Sequence, residues 1–172
     1  VWINSTSMMV DRQIEGNLTY FFYDGETLKD AVGVPESREF LYTSLPFDMF
    51  DNVGLSLALP KLSVGDDPAA VTVLLFDTDG NQAARHDFEM APGEHFSRYL
   101  KQLDWNGAGV PQGFGPTGKV EIYSDLHIAG ICMLVTPAAA GSAEISTLPL
   151  TGAPLTYQVE FNGSDSIEGD VY

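Results

Sequence analysis

Apolar and polar residues alternate with a period of two along most of this chain, the spacing of a strand with one buried face. In VGLSLAL (53–59), Val53, Leu55, Leu57 and Leu59 alternate with the small or polar Gly54, Ser56 and Ala58. Between positions 84 and 90, Ala84, His86, Phe88 and Met90 fall on one face, and Arg85, Asp87 and Glu89 on the other. Val120 and Ile122 point one way while Lys119, Glu121 and Tyr123 point the other, and Tyr157, Val159 and Phe161 repeat the pattern against Gln158 and Glu160. Two runs, VTVLLF (71–76) and IAGICMLV (128–135), are apolar on both faces, as expected of central strands.

Turn-forming pairs punctuate these runs: DG at 24–25, GVP at 33–35, DDP at 66–68, DG at 79–80, APG at 91–93, SD at 124–125 and TGAP at 151–154. Short strands at this spacing predict an all-β fold, a single domain over residues 1–172 built as an antiparallel β-sandwich of the Ig-like or jelly-roll-like kind, with about seven to ten strands. One short helix is predicted near 95–103, because Phe96, Tyr99, Leu100 and Leu103 fall at i, i+3, i+4 and i+7. The Gly- and Pro-bearing stretch that follows, NGAGVPQGFGPTG (106–118), reads as a long loop. LTYFFYDGETLKD (18–30) and VTVLLFDTDGNQA (71–83) echo one another as strand, Asp-bearing turn and strand.

The segment DTDGN (77–81) admits a calcium loop or a hairpin turn. An EF-hand loop needs Gly at its sixth position and a bidentate Glu at its twelfth. Counted from Asp77, those positions hold Gln82 and Phe88. A hairpin needs only a residue that tolerates positive φ, which Gly80 supplies in a type I′ turn or a turn with a G1 bulge. The hairpin is the expectation; Asp77, Asp79 and Asn81 remain the candidate calcium ligands.

Charge changes the picture more than any other compositional feature. The 24 acids and 8 bases leave a net charge of −16, which repels nucleic acid and anionic membrane. Hydrophobic residues make up 44% of the chain, enough for a core. No apolar run approaches the roughly 18 residues of a spanning helix, so direct membrane insertion is not expected. A single cysteine, Cys132, excludes an internal disulfide and lies in an apolar run, where a buried thiol acts as a small hydrophobe. No basic segment precedes an apolar one at Val1, so no signal peptide is visible; the missing initial Met fits a processed leader or a trimmed chain. Glycosylation triplets begin at Asn4, Asn17 and Asn162 and permit an extracellular setting.

The ordered series FDNVGLSLALP (50–60), VTVLLFDTDGNQA, MAPGEHFSRYLKQL (90–103), GKVEIYSDLHIAGICML (118–134) and STLPL (146–150) resembles a β-sandwich module of secreted and surface bacterial proteins. That family runs loosely as Thr-Gly-aliphatic-Ala-Asn-Pro, a DxxG hairpin, LxPxGxxxxFL, SDxPIA and TTLP, and AVGVPES (31–37) is similar to its Gly-Val-Pro linker. The match covers about residues 31–150 and leaves strand-forming terminal segments at 1–30 and 151–172. Asn52-Val53, Leu59 and His127 stand where the family has Thr-Gly, Asn and Pro. The resemblance implies architecture and an extracellular or cell-surface setting, and carries no catalytic residue, since the family has no established catalytic site.

Catalytic signatures do not emerge. His86, His95 and His127 have neither HExxH nor HxH spacing. GSAEIS (141–146) lacks the context of a nucleophile elbow, and GAGVPQGFGPTG lacks the Lys-Ser/Thr of a phosphate loop. With 24 acids, a glycosidase-like carboxylate pair would arise by chance. No enzyme and no cofactor are therefore expected. The expected function is that of a non-catalytic extracellular or cell-surface structural or protein-interaction module, pairing with a protein partner or itself through sheet edges. INSTSMMV (3–10) and LTYQVEF (155–161) are the terminal strands that would do so, and assembly should strengthen as salt or divalent cations screen the charge. The alternative is a carbohydrate-binding module in which Trp105, flanked by Asp104 and Asn106, stacks on a glycan beside the 104–118 loop, with Trp2 and Tyr172 as further stacking groups; the opposing expectation is that Trp105 plugs the end of the fold.

Overall fold

The computed structural model describes residues 18–24, 26–34, 36–60, 67–137, 143–152, 155–160 and 166–171. The strands are β1 (Leu18–Asp24), β2 (Thr27–Val34), β3 (Phe40–Phe47), β4 (Val53–Ala58), β5 (Ala69–Phe76), β6 (Gln82–Met90), β7 (His95–Tyr99), β8 (Gly118–Pro137), β9 (Ala143–Pro149), β10 (Leu155–Glu160) and β11 (Ser166–Val171). Short 3-10 turns lie at Phe50–Asn52, Leu100–Gln102 and Trp105–Gly107. The fold is all-β. Strands β3 to β9 form one curled antiparallel sheet, ordered β6-β5-β8-β4-β7 with β3 and β9 also paired to β8.

The organising element is β8, whose 20 residues change partners halfway. Its first part, to Ser124, lies between β3 and β5. Its second, from Ala129, lies between β4 and β9. The sequence predicts a turn at Ser124-Asp125 and separate strands on either side, but the strand runs straight through. The polar pair serves the change of partner instead: the β5 ladder ends at Val71 opposite Ser124, and the Asp125 carboxylate accepts the Ala70 N–H at 2.7 Å. That bond satisfies a donor the ladder has abandoned. Just beyond, Gly130 lets β4 come close, since an added Cβ would lie 2.7 Å from a Leu57 methyl and 3.0 Å from the Ser56 carbonyl.

The expected helix over 95–103 is not formed, and this corrects the sequence reading. His95–Tyr99 is β7, paired to β4 from Ala58↔His95 to Gly54↔Tyr99, and a single 3-10 turn follows at Leu100–Gln102. A stripe at i, i+3, i+4 and i+7 is equally met by a strand that places Phe96 inward and then a tight turn that buries Leu100 and Leu103. A nine-residue helix is marginal in water, whereas β4 has an edge of backbone groups that β7 satisfies. Strand β4 differs from expectation too. Both its faces are covered, because Met133 lies over Gly54 and the His95 ring bonds Ser56.

Inward positions of β3, β4, β5 and β8 build a core that runs from Phe40 to Leu150, with Leu55, Leu57, Val73, Leu75, Val120, Ile122 and Ile128 fully buried. Each such side chain contributes about 1.5–3 kcal/mol. Two hairpins stand outside this ladder, β1–β2 and β10–β11. The echo between residues 18–30 and 71–83 is thus a pair of hairpins, β1–β2 and β5–β6. Strand β2 runs against β9, where the Thr147 hydroxyl donates to the Gly33 carbonyl at 2.5 Å. INSTSMMV, Trp2, Phe161, Tyr172 and the triplet asparagines Asn4, Asn17 and Asn162 lie outside the described residues.

Candidate functional site

The structure brings Asp104, Trp105 and Asn106 together at the start of the long loop, where they fasten it to the sheet. Trp105 is 0% exposed, and its indole N–H donates to the Leu100 carbonyl at 2.8 Å. No ring face is open for a sugar to stack on. Asn106 adopts φ 52°, a left-handed conformation that Asn tolerates better than most residues, and its side-chain oxygen accepts the Arg85 N–H at 3.0 Å. The His86 Nδ1 bonds the Asp104 carbonyl at 3.1 Å, and the His86 ring meets Trp105 edge-on.

Asp77, Asp79 and Asn81 form the β5–β6 turn. The Asp77 carboxylate accepts the N–H of Asp79 at 2.9 Å, that of Asn81 at 2.8 Å, and the Asn81 amide at 3.2 Å. Bonds from the Asn81 backbone and side chain hold this carboxyl below its usual range. Of the two hairpin alternatives, the structure has the bulged one. Gly80 has φ 83° while Thr78 and Asp79 keep negative φ, which a type I′ turn does not allow. Asp77 thus spends its lone pairs on the turn. Among the described residues no three His, Cys, Asp or Glu side chains gather as a metal site.

A cluster that sequence reasoning missed covers the outward face of β3, β5, β6 and the first half of β8. Cross-strand pairing sets Tyr42 against Tyr123, with ring centroids 4.7 Å apart. Between them Glu121, only 8% exposed, accepts from Lys119 Nζ at 2.6 Å and the Tyr123 hydroxyl at 2.7 Å. Burial pushes the Glu121 carboxyl up, but the bonds from Lys119 and Tyr123 outweigh it and leave it below the ordinary range. Burial and the Glu121 charge push the Tyr123 hydroxyl well above its usual value. Lys119 also sits over the Phe76 ring at 4.6 Å. Beside this cluster, Asp87 binds both Arg85 and Thr72 at 2.6 Å. The outward register of residues 119, 121 and 123 was legible in the sequence; the arrival of Tyr42 from β3 depends on strand pairing and was not.

Two reactive residue types are held quietly. Ser56 Oγ lies 2.6 Å from His95 Nε2 across β4 and β7, but Ser56 sits in mid-strand and not on a strained nucleophile turn. Cys132 is 4% exposed, and burial pushes its thiol up to about 11.

The exposed large apolar side chains among the described residues are Phe21 (58%), Leu28 (50%), Leu148 (56%) and Val110 (38%). Three of these four belong to β1, β2 and β9, where the first hairpin meets the sheet.

No family model matches the chain, and no curated protein matches it in sequence. In three dimensions it is similar to the crystal structure of Thermotoga maritima 1070, with a TM-score of 0.47 and 13% sequence identity over 64% of this chain and 92% of that one.

Proposed function

We propose that the chain is a non-catalytic extracellular or cell-surface module with a structural role, assembling with further copies of itself through the β1–β2 hairpin and the neighbouring edge at β9. The observation that carries this reading is the exposure of Phe21 and Leu28 on the β1–β2 hairpin and of Leu148 on β9, the strand that β2 runs against. Large apolar side chains left exposed at a sheet margin are typical of contact surfaces. Each is about half exposed, so covering all three gains roughly 2–4 kcal/mol. Association costs about 4–15 kcal/mol, so these residues give only weak pairing unless further surface or edge hydrogen bonds join them.

The acidic surface sets the conditions. Copies that each carry −16 repel one another until salt screens them. The same charge disfavours nucleic acid and anionic membrane as partners. On this reading the curled sheet is one sandwich domain, with β3, β5, β6 and the first half of β8 as one layer and β4, β7, β9 and the second half as the other. The competing carbohydrate-binding reading needs a stacking plane, and burial withholds Trp105 from that role.

Light scattering at low and high salt tests the proposal. The intact chain should gain mass as salt rises, and Phe21→Asp with Leu28→Asp should abolish the gain. A monomer at every salt concentration overturns it.

A further inference from the structure

The long loop makes a two-lobed trough at the end of the sheet. Phe114 is its centre, packed edge-on against Phe50 at 5.1 Å and beside Phe47 at 6.4 Å. On one side of the ring is a groove of about 490 Å³, walled by the β5–β6 turn at Asp77, Thr78 and Asp79. On the other is one of about 450 Å³, walled by Met49 to Asn52 and Val110. Phe114, Gly115 and Pro116 border both grooves. The loop is tied down by the Phe50 N–H donating to the Pro116 carbonyl at 2.8 Å and the Phe114 N–H to that of Pro111 at 3.1 Å. Gly113 has φ 80°, and neither it nor Gly115 would meet a neighbour if given a Cβ, so the wall between turn and loop stays low. Each lobe has a volume usual for a ligand site, about 300–1,000 Å³.

The chemistry of the lining is one-sided. Its centre is a phenyl ring with Pro111, Pro116 and half-exposed Val110; its rims carry Asp51 on one side and Asp77 and Asp79 on the other. Among the described residues no Lys or Arg lines either lobe. Lys119, at the foot of the loop, is engaged by Glu121 and the Phe76 ring on the outward face. A compact ligand would fill one lobe only. An extended chain crossing Phe114 places alternate side chains about 7 Å apart and reaches both.

We propose that this trough binds an extended segment of a partner protein that alternates arginine or lysine with apolar residues. The apolar side chains face the floor at Phe114, Pro111 and Pro116, while the cations leave from the opposite face of the strand and their long stems bend back over the rims to Asp51 and Asp79. This surface is separate from the β1–β2 hairpin. The proposal shares only the view of the chain as a protein-binding module, and its test does not depend on self-association.

The probe is a fluorescein-labelled octapeptide of alternating arginine and leucine, followed by anisotropy at physiological ionic strength. A matched peptide with serine in place of leucine separates trough binding from attraction to an acidic surface. The arginine–leucine peptide should bind saturably, and the arginine–serine peptide at least about tenfold more weakly. Asp51→Asn with Asp79→Asn should weaken binding about fivefold to tenfold. Asp67→Asn with Glu89→Gln makes the same charge change at exposed sites elsewhere and should alter it less than about twofold. Absence of saturable binding, equal binding of the two peptides, or equal weakening by the two double variants overturns the proposal.

Discussion

Replacing Trp105 with Ala separates a core plug from a ligand platform. The ring is fully buried, and a Trp side chain buries about 150–250 Å². At roughly 25 cal/mol per Å² that is about 4–6 kcal/mol, in line with the 3–5 kcal/mol typical of such truncations. The Leu100 carbonyl would also lose its 2.8 Å indole donor, at a cost of about 1–3 kcal/mol. Added to the typical truncation cost, this gives a total near 4–8 kcal/mol, a large share of a domain's usual 5–15 kcal/mol. With a urea m-value of about 2–3 kcal/mol/M, the unfolding midpoint should fall by about 2 M. Trp105→Phe keeps most of the buried area and loses only the donor, so its midpoint should fall by about 0.5–1 M. Circular dichroism is the suitable signal, since the second tryptophan would confuse fluorescence. A shift below about 0.5 M for Trp105→Ala would refute the packing account, and glycan-array binding lost with it would favour the carbohydrate reading.

Three further outcomes follow from the packing and electrostatics. Glu121→Gln should cost about 1–2 kcal/mol at neutral pH. The folded-state pKa of Glu121 lies below its unfolded value, so its contribution is whole above the unfolded pKa near about 4.3 and fades as pH falls through the folded one; urea midpoints of wild type and variant should converge below about pH 4. Gly118→Ala drives a Cβ into the Phe76 carbonyl oxygen, with ring carbons of Phe47 and Phe114 at 3.0 and 3.1 Å. It should lower stability by about 1–3 kcal/mol, and an unchanged melting temperature would contradict this packing. With its thiol near 11, Cys132 is about one part in a thousand thiolate at pH 8, against roughly a quarter for an ordinary thiol near 8.5. The more basic thiolate is a stronger nucleophile, which offsets part of this, so an aromatic disulfide reagent should label Cys132 at least about tenfold more slowly than an exposed thiol until urea unfolds the chain.

The strands were legible because period-two alternation reports directly which face is buried, and VTVLLF and IAGICMLV lie in interior strands as their doubly apolar pattern requires. The DTDGN hairpin was legible because only a few residues accept positive φ. What escaped the sequence depends on neighbours. Residues 95–103 fit helix and strand patterns alike, and the edge of β4 decides between them. Ser124-Asp125 has the chemistry of a turn, but Asp125 spends it on the Ala70 N–H. Asp104, Trp105 and Asn106 stood out in the sequence as an aromatic flanked by polar groups, but the partners they bond, Leu100, Arg85 and His86, are not visible there. The Tyr42–Glu121–Tyr123 cluster likewise required the register of β3 on β8.

Amide hydrogen exchange over residues 18–34, followed against protein concentration and salt, tests the assembly reading most directly. Those residues form the β1–β2 hairpin that carries Phe21 and Leu28. The account predicts that this segment gains protection as concentration and salt rise, while β5 and β8 in the core stay equally protected throughout. Exchange at 18–34 that is unchanged by both, with the chain monomeric throughout, would contradict it.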